Sequence, residues 1–410
     1  MNRHDAPVAQ PTAMRTHVPA LAALVALTAI WGLAQWDFSS LMYKLTALFP
    51  MQQGDWIPIV QGITYFLVAL PAAMFHRRFG YKLGILIGLS LSAFGPFLIY
   101  PTIAEHSYPA FVMAGIVMTI GWPFIETSLN PLATELGSRD SAVRRLNFVQ
   151  AFFPVGLVIG NFVALWLLRF DLHGAGTGWA DATARPFVVI GIAVLLFALG
   201  IDKIRLPSLA SDKGHGRMRD ELRALLSRQD IRIGLAAIFA CQLAQATIWG
   251  VVYGYVPQEL PGAKADTAAT AFFICCILAG VGRFGGTALM RWIEPRALLG
   301  IAMACAIVLL ASSAVVRGEI GLGLLVGTSV FMAIAYPTIF GSVIVDLGPL
   351  KKTASGLLVT AAGIGSASEL VLVYLLRDVM PARYVMLAAV PCFALVLVFA
   401  RRRARVATPA

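Results

Sequence analysis

The chain has 410 residues, 59% hydrophobic and only 13% charged, and its mean hydropathy is +0.78. Soluble domains carry about 25% charged residues, so this composition excludes a soluble globular class and reads as an all-α membrane protein. The net charge of +11 would suit nucleic acid,, but the basic residues lie between apolar runs, which argues against a nucleic-acid partner.

The tail up to His17 precedes an apolar run, Val18–Trp36. That run has spanning length, exceeds a signal-peptide core and is followed by no clear cleavage site, so it reads as a retained first span. Asp37 closes it. Charge-free windows follow at Trp56–Phe75, which carries Gln61 and Tyr65, and at Leu83–Ala104, Ser107–Ile125, Leu146–Leu168 and Pro186–Ile201. After a basic connection, Asp202–Arg232, come Ile233–Gln258, Thr267–Gly282, Ala297–Val316, Ile320–Val345, Thr353–Ser368 and Tyr384–Ala400. Twelve helices result, six in 18–201 and six in 233–400, with basic tails at 1–17 and 401–410. All five cysteines fall inside spans and read as small core residues,. The six histidines are assigned to the tail and connections, so no metal or cofactor site is expected in the membrane.

Lysines and arginines set the orientation. With the N-terminus cytoplasmic, 24 lie on the cytoplasmic side and 7 outside, leaving Arg283 within span 8. The positive-inside rule then puts both termini and 202–232 in the cytoplasm, as for a bacterial inner-membrane protein. A basic turn, His76–Lys82 with Arg77 and Arg78, follows span 2, and Arg291–Arg296 follows span 8. Corresponding turns in two six-helix halves are the footprint of a transporter whose site lies between the halves near midplane. Gly84/Gly88, Gly156/Gly160 and Gly282/Gly286 are spaced for close helix packing.

Glu126 is the informative residue. An acid at the middle of a span costs roughly 2.5–3.5 kcal/mol on insertion scales and is functional by default. It sits in Glu126-Thr127-Ser128-Leu129-Asn130-Pro131, with Pro123 one turn before. Such irregular polar backbone is tolerated only against protein or a watery cavity.

Ordered motifs carry a resemblance. They are Glu126-Thr127-x-x-Asn130-Pro131, Arg145-Leu146-Asn147-x-x-Gln150, Gln245-x-x-x-Trp249, Pro261-Gly262, Gly282-Arg283-Phe284-x-Gly286-Thr287 and Tyr336-Pro337-Thr338-Ile339-Phe340. Together they resemble the fucose:proton symporter family of the major facilitator superfamily. The resemblance implies a twelve-helix facilitator fold, proton-driven sugar uptake and a protonation role for Glu126. Two positions depart from that family: Ser39 stands where it has an aspartate, with Asp37 two residues earlier, and Phe153 replaces an asparagine.

Asp37 and Glu369 are further candidates for proton coupling. Asn130, Asn147, Gln150, Gln61, Tyr65 and Tyr336 are candidates for the substrate. Gln245, Trp249 and Tyr253 step by fours, with Gln242 a turn earlier. Amides bond hydroxyls and an indole covers a sugar's C–H face, although amides in spans also serve as helix glue. Arg283, Arg77 and Arg78 are read as gating or structural. The expected function is secondary active, proton-coupled uptake of a small polar solute, a monosaccharide of the fucose, glucose or galactose type, by a monomer. Efflux of an amphipathic compound and a non-transporting sensor on the same fold are the alternatives. No P-loop pattern is present,, and no convergent acid–base constellation marks a membrane enzyme.

Overall fold

In the computed structural model the described residues are 17–45, 56–105, 107–169, 179–204, 217–264, 266–376 and 379–402. They are almost entirely helical. The first six spans are α1 (Val18–Leu45), α2 (Trp56–Phe79), α3 (Tyr81–Ala104), α4 (Tyr108–Glu135), the pair α5 (Ala142–Gln150) and α6 (Phe152–Arg169), and α7 (Trp179–Asp202). A short helix, α8 (Met218–Ser227), follows. The last six are α9 (Gln229–Glu259), α10 (Thr267–Leu289), α11 (Pro295–Val315), the pair α12 (Gly318–Met332) and α13 (Ala335–Ile344), α14 (Lys351–Leu376), and α15 (Ala382–Val385) leading into α16 (Ala389–Arg401).

Eleven of these units are long and apolar enough to cross a bilayer among the described residues. The twelfth, α2, has 24 residues, about 36 Å at 1.5 Å per residue. Predicted windows and observed helices agree in number and order, but the helices run longer. Span 6 extends back to Trp179, and span 12 breaks at a 3-10 turn, Met386–Ala388. The connection Asp202–Arg232 also differs from expectation: it contains α8, and α9 already begins at Gln229.

The two sets of six repeat one packing plan. In the first, α1 lies on α6, α3 on α4 and α7, and α2 on α4. In the second, α9 lies on α14, α11 on α12 and α16, and α10 on α12. These pairings correspond helix for helix. Contact between the sets runs along α2 with α14 and along α6 with α10. Glycine allows close approach at α1–α6: a Cβ on Gly156 would stand 1.9 Å from the Ala29 carbonyl oxygen.

Polar contacts between the sets gather toward the end of the bundle that carries Arg77, Arg145 and Lys352, hereafter the basic end. Asn147 Nδ2 donates to Thr338 Oγ1 at 3.1 Å. Lys352 Nζ donates to the His76 carbonyl at 3.2 Å, and Lys351 pairs with Glu135 at 3.3 Å. Arg139 pairs with Asp346. The helix α8 joins both sets, because Glu221 bonds Arg77 at 2.7 Å and accepts from Thr353 Oγ1 at 2.5 Å.

Candidate functional site

Proline shapes the backbone around the site. A proline has no N–H, so the carbonyl four residues before it loses its helical partner. Pro131 frees Thr127 O in this way, and Ser355 Oγ on α14 donates to it at 3.0 Å. Pro154 frees Gln150 O, which accepts from Arg283 Nη1 at 2.8 Å. Pro337 frees Ala333 O, which accepts from Arg283 Nε at 3.0 Å. The buried guanidinium therefore ties two interrupted helices together through their backbone carbonyls.

Above this level lies a cavity of about 350 Å³ between the two sets, within the size range of small-molecule sites. Glu126, 5% exposed, projects into it from α4. Tyr65 on α2 donates to its Oε2, and Asn130 and Tyr336 are hydrogen-bonded to the same carboxyl. The network continues: Gln150 Nε2 donates to Asn130 Oδ1 at 2.6 Å, and Asn130 Nδ2 to Tyr336 OH at 3.4 Å. One acid thus holds a phenol from each set of six helices.

The cavity brings together Glu126, Gln61, Tyr65, Gln150, Gln245, Trp249, Tyr336, Arg283 and Glu369. Trp249 is fixed by its indole N–H on Ser329 Oγ at 3.3 Å and by an edge contact with Phe272. Glu369 sits against α9 where Gly250 leaves room; a Cβ there would meet Oε1 at 2.2 Å. Asn130 and Asn147 are fully buried and bonded within the protein, outside the lining.

Tyr253 is not brought to the cavity. It is 45% exposed and packs on Phe272. Four residues advance a helix by 400°, so the Gln245–Trp249–Tyr253 row drifts about 80° over its length and its last member leaves the wall. Arg77 is paired with Glu221, and Arg78 is exposed over the Phe79 ring. The side chain of Asp37 lies outside the described residues, and α1 runs as helix past it.

One expectation is overturned. His76 belongs to α2, not to a connection, and is fully buried. Its Nε2 meets Thr127 Oγ1 at 2.9 Å and Ser128 Oγ at 3.0 Å. The ring occupies the space that Gly84 leaves on α3, 1.9 Å from where a Cβ would stand. Among the described residues no cluster of His, Cys, Asp or Glu is arranged to hold a metal.

Sequence reading also missed Trp31 and Gln35, which line the cavity from α1. They lie one turn apart, an amide–aromatic pair like Gln245 and Trp249 on α9, the corresponding helix. Among the described residues, Trp31 Nε1, Gln61 Nε2 and Trp122 Nε1 are buried donors without a protein partner. All three residues line this cavity.

Comparison with known proteins agrees with this architecture. Residues 20–368 match the Major Facilitator Superfamily. The chain is 28% identical to the L-fucose-proton symporter of Escherichia coli over 96% of this chain and 95% of that protein. It is 27% identical to the glucose/galactose transporter of Brucella abortus, over 92% of each. The solved structure of the E. coli fucose:proton symporter superimposes with a TM-score of 0.83 at 27% identity, over 94% of this chain and 99% of that one. A facilitator transporter solved in the outward conformation gives 0.81 at 29% identity, over 94% and 98%. A match spanning residues 20–368, on two sets of helices that repeat one packing plan, places this chain in the Major Facilitator Superfamily.

Proposed function

We propose that this protein imports a monosaccharide together with protons across the bacterial inner membrane, as a monomer with both termini cytoplasmic. The observation that carries the reading is the hydrogen-bonding of Glu126 to Tyr65 and Tyr336, one phenol from each set of helices. Ionised, the carboxyl is an acceptor only and holds both phenols. Protonated, it gains a donor of its own and gives up acceptor capacity. Its charge state therefore biases how tightly the two sets are held, which is what coupling a proton to rocking requires. Glu369 is the second candidate for proton coupling, facing the cavity from the other set.

The wall suits a polyol. Gln61, Gln150 and Gln245 offer amides, Trp249 and Trp31 offer apolar ring surface, and buried indole and amide donors stand without protein partners. Relatives named for fucose, glucose and galactose support the substrate class. Alternating access would come from rocking of 18–201 against 233–400, with α8 as the strap between them.

The test is uptake of a panel of labelled hexoses into energised vesicles, with and without an uncoupler. A hexose accumulated above its outside concentration, and released by the uncoupler, is the expected result. Equilibration without accumulation, unaffected by the uncoupler, contradicts proton coupling. No uptake of any hexose contradicts the substrate class.

A further inference from the structure

A second cavity, of about 340 Å³, lies at the basic end. Its charged wall is Arg144 and Arg145 on α5 and Arg291 just beyond α10, with Ser141 and Thr287 the other polar residues; Phe148 and Phe284 form much of its apolar wall. Among the described residues no carboxylate lines it. Elsewhere at this end basic groups meet acids: Arg77 meets Glu221, Lys351 meets Glu135 and Arg139 meets Asp346. Among the described residues Arg144 and Arg291 have no acidic partner. Arg145 is held by neutral acceptors, Ala133 O and Thr134 O at 2.6 Å each, Ser141 Oγ at 2.8 Å and Ser138 O at 3.2 Å. Those bonds fix its position and leave its positive charge uncancelled.

The cavity also has a defined depth. Trp292, beside Arg291, is 77% exposed, and exposed tryptophan at a helix end marks the headgroup level of a bilayer. Phe148 and Phe284 are each 37% exposed. Through Phe152 their rings form a continuous apolar surface, with centroids 5.5 and 5.2 Å apart. Cationic groups at headgroup depth beside exposed apolar rings are complementary to one molecule with both characters.

We propose that this cavity binds an anionic phospholipid, its phosphate against Arg144, Arg145 and Arg291 and an acyl chain along Phe148 and Phe284. The walls come from both sets of helices, so the lipid binds best when the basic end is closed. The site is independent of which solute the central cavity takes.

The experiment measures lipid retained on the purified full-length protein by native mass spectrometry, after exposure to equal phosphatidylglycerol and phosphatidylcholine. A parallel thermal-unfolding series uses inorganic phosphate. Phosphatidylglycerol should be retained on the order of a hundredfold over phosphatidylcholine, taking each of the three basic groups to contribute about the usual headgroup attraction. Arg144→Gln with Arg291→Gln should bring that ratio down to about fivefold, the share of Arg145 alone, while Arg144→Lys with Arg291→Lys keeps most of it. Where the glutamine pair does not fold, the single exposed-site variant Arg291→Gln should lower the ratio about fivefold. Equal retention of the two lipids by the parent chain overturns the site, as does an unchanged preference in the glutamine variants. Protection by inorganic phosphate equal to that by phosphatidylglycerol assigns a soluble anion instead and overturns the lipid.

Discussion

Glu126 stands out in the amino-acid sequence because nothing else between Ser107 and Thr134 is charged. Its partners do not. Tyr65 is 61 residues away and Tyr336 is 210 residues further along the chain, so only the fold shows that they converge on one carboxyl. The same limit explains the errors. His76 opens a basic run that looks like a turn, yet two hydroxyls and the absent side chain of Gly84 make a place for it inside α2. Tyr253 follows a period of four that a 3.6-residue helix does not keep. Trp31 and Gln35 carry a readable signal, the same i, i+4 pairing as Gln245 and Trp249, but in the first span. At this scale Trp249→Ala and Gln245→Ala should each raise the half-saturating substrate concentration roughly tenfold, the value of one or two lost hydrogen bonds or ring contacts. Helix content by circular dichroism should stay unchanged. Asn147→Ala removes a bond to Thr338 outside the cavity, so it should change transport rate more than half-saturation. The reverse pattern, binding lost only in Asn147→Ala, contradicts the assignment of the wall.

Among the helices, prolines mark where backbone is unpaired, and that much is readable from Pro131, Pro154 and Pro337. Which donors answer them is a tertiary fact. Ser355 and Arg283, both in the last six helices, reach Thr127 O and Gln150 O in the first six. Closure of the basic end thus satisfies carbonyls that a straight helix would satisfy by itself. Ser355→Ala removes one such bond, worth about 0.6 kcal/mol between membrane helices, and should shift the balance about threefold toward an open basic end. Spin-label distances across α4 and α14 would read the shift. Pro131→Ala supplies the missing N–H, so Thr127 O no longer depends on Ser355. In that background Ser355→Ala should have no further effect, a non-additivity that a double-mutant cycle measures. Equal effects of Ser355→Ala in both backgrounds contradict the account.

For the molecule as a whole, the sequence carries twelve spans, their order and their charge bias, because hydropathy and basic turns are local properties. It carries the repeat only weakly, through two basic turns. The packing plan that the two sets share arises from side chains meeting across helices, and α8 was hidden inside a polar connection. Orientation is testable at this scale. Single cysteines at the exposed positions Arg223 and Lys264, treated with an impermeant reagent in intact cells, should be protected and labelled respectively. Labelling at Arg223 with protection at Lys264 contradicts cytoplasmic termini.

Proton coupling through Glu126 is tested most directly by Glu126→Gln in sealed proteoliposomes, comparing uptake driven by a pH gradient with exchange of labelled for unlabelled hexose. Glutamine keeps the shape of the protonated carboxyl and cannot release a proton. The account expects gradient-driven accumulation to vanish while exchange persists, because a permanently neutral site still rocks when loaded. A Glu126→Gln protein that accumulates substrate in response to the gradient would contradict it.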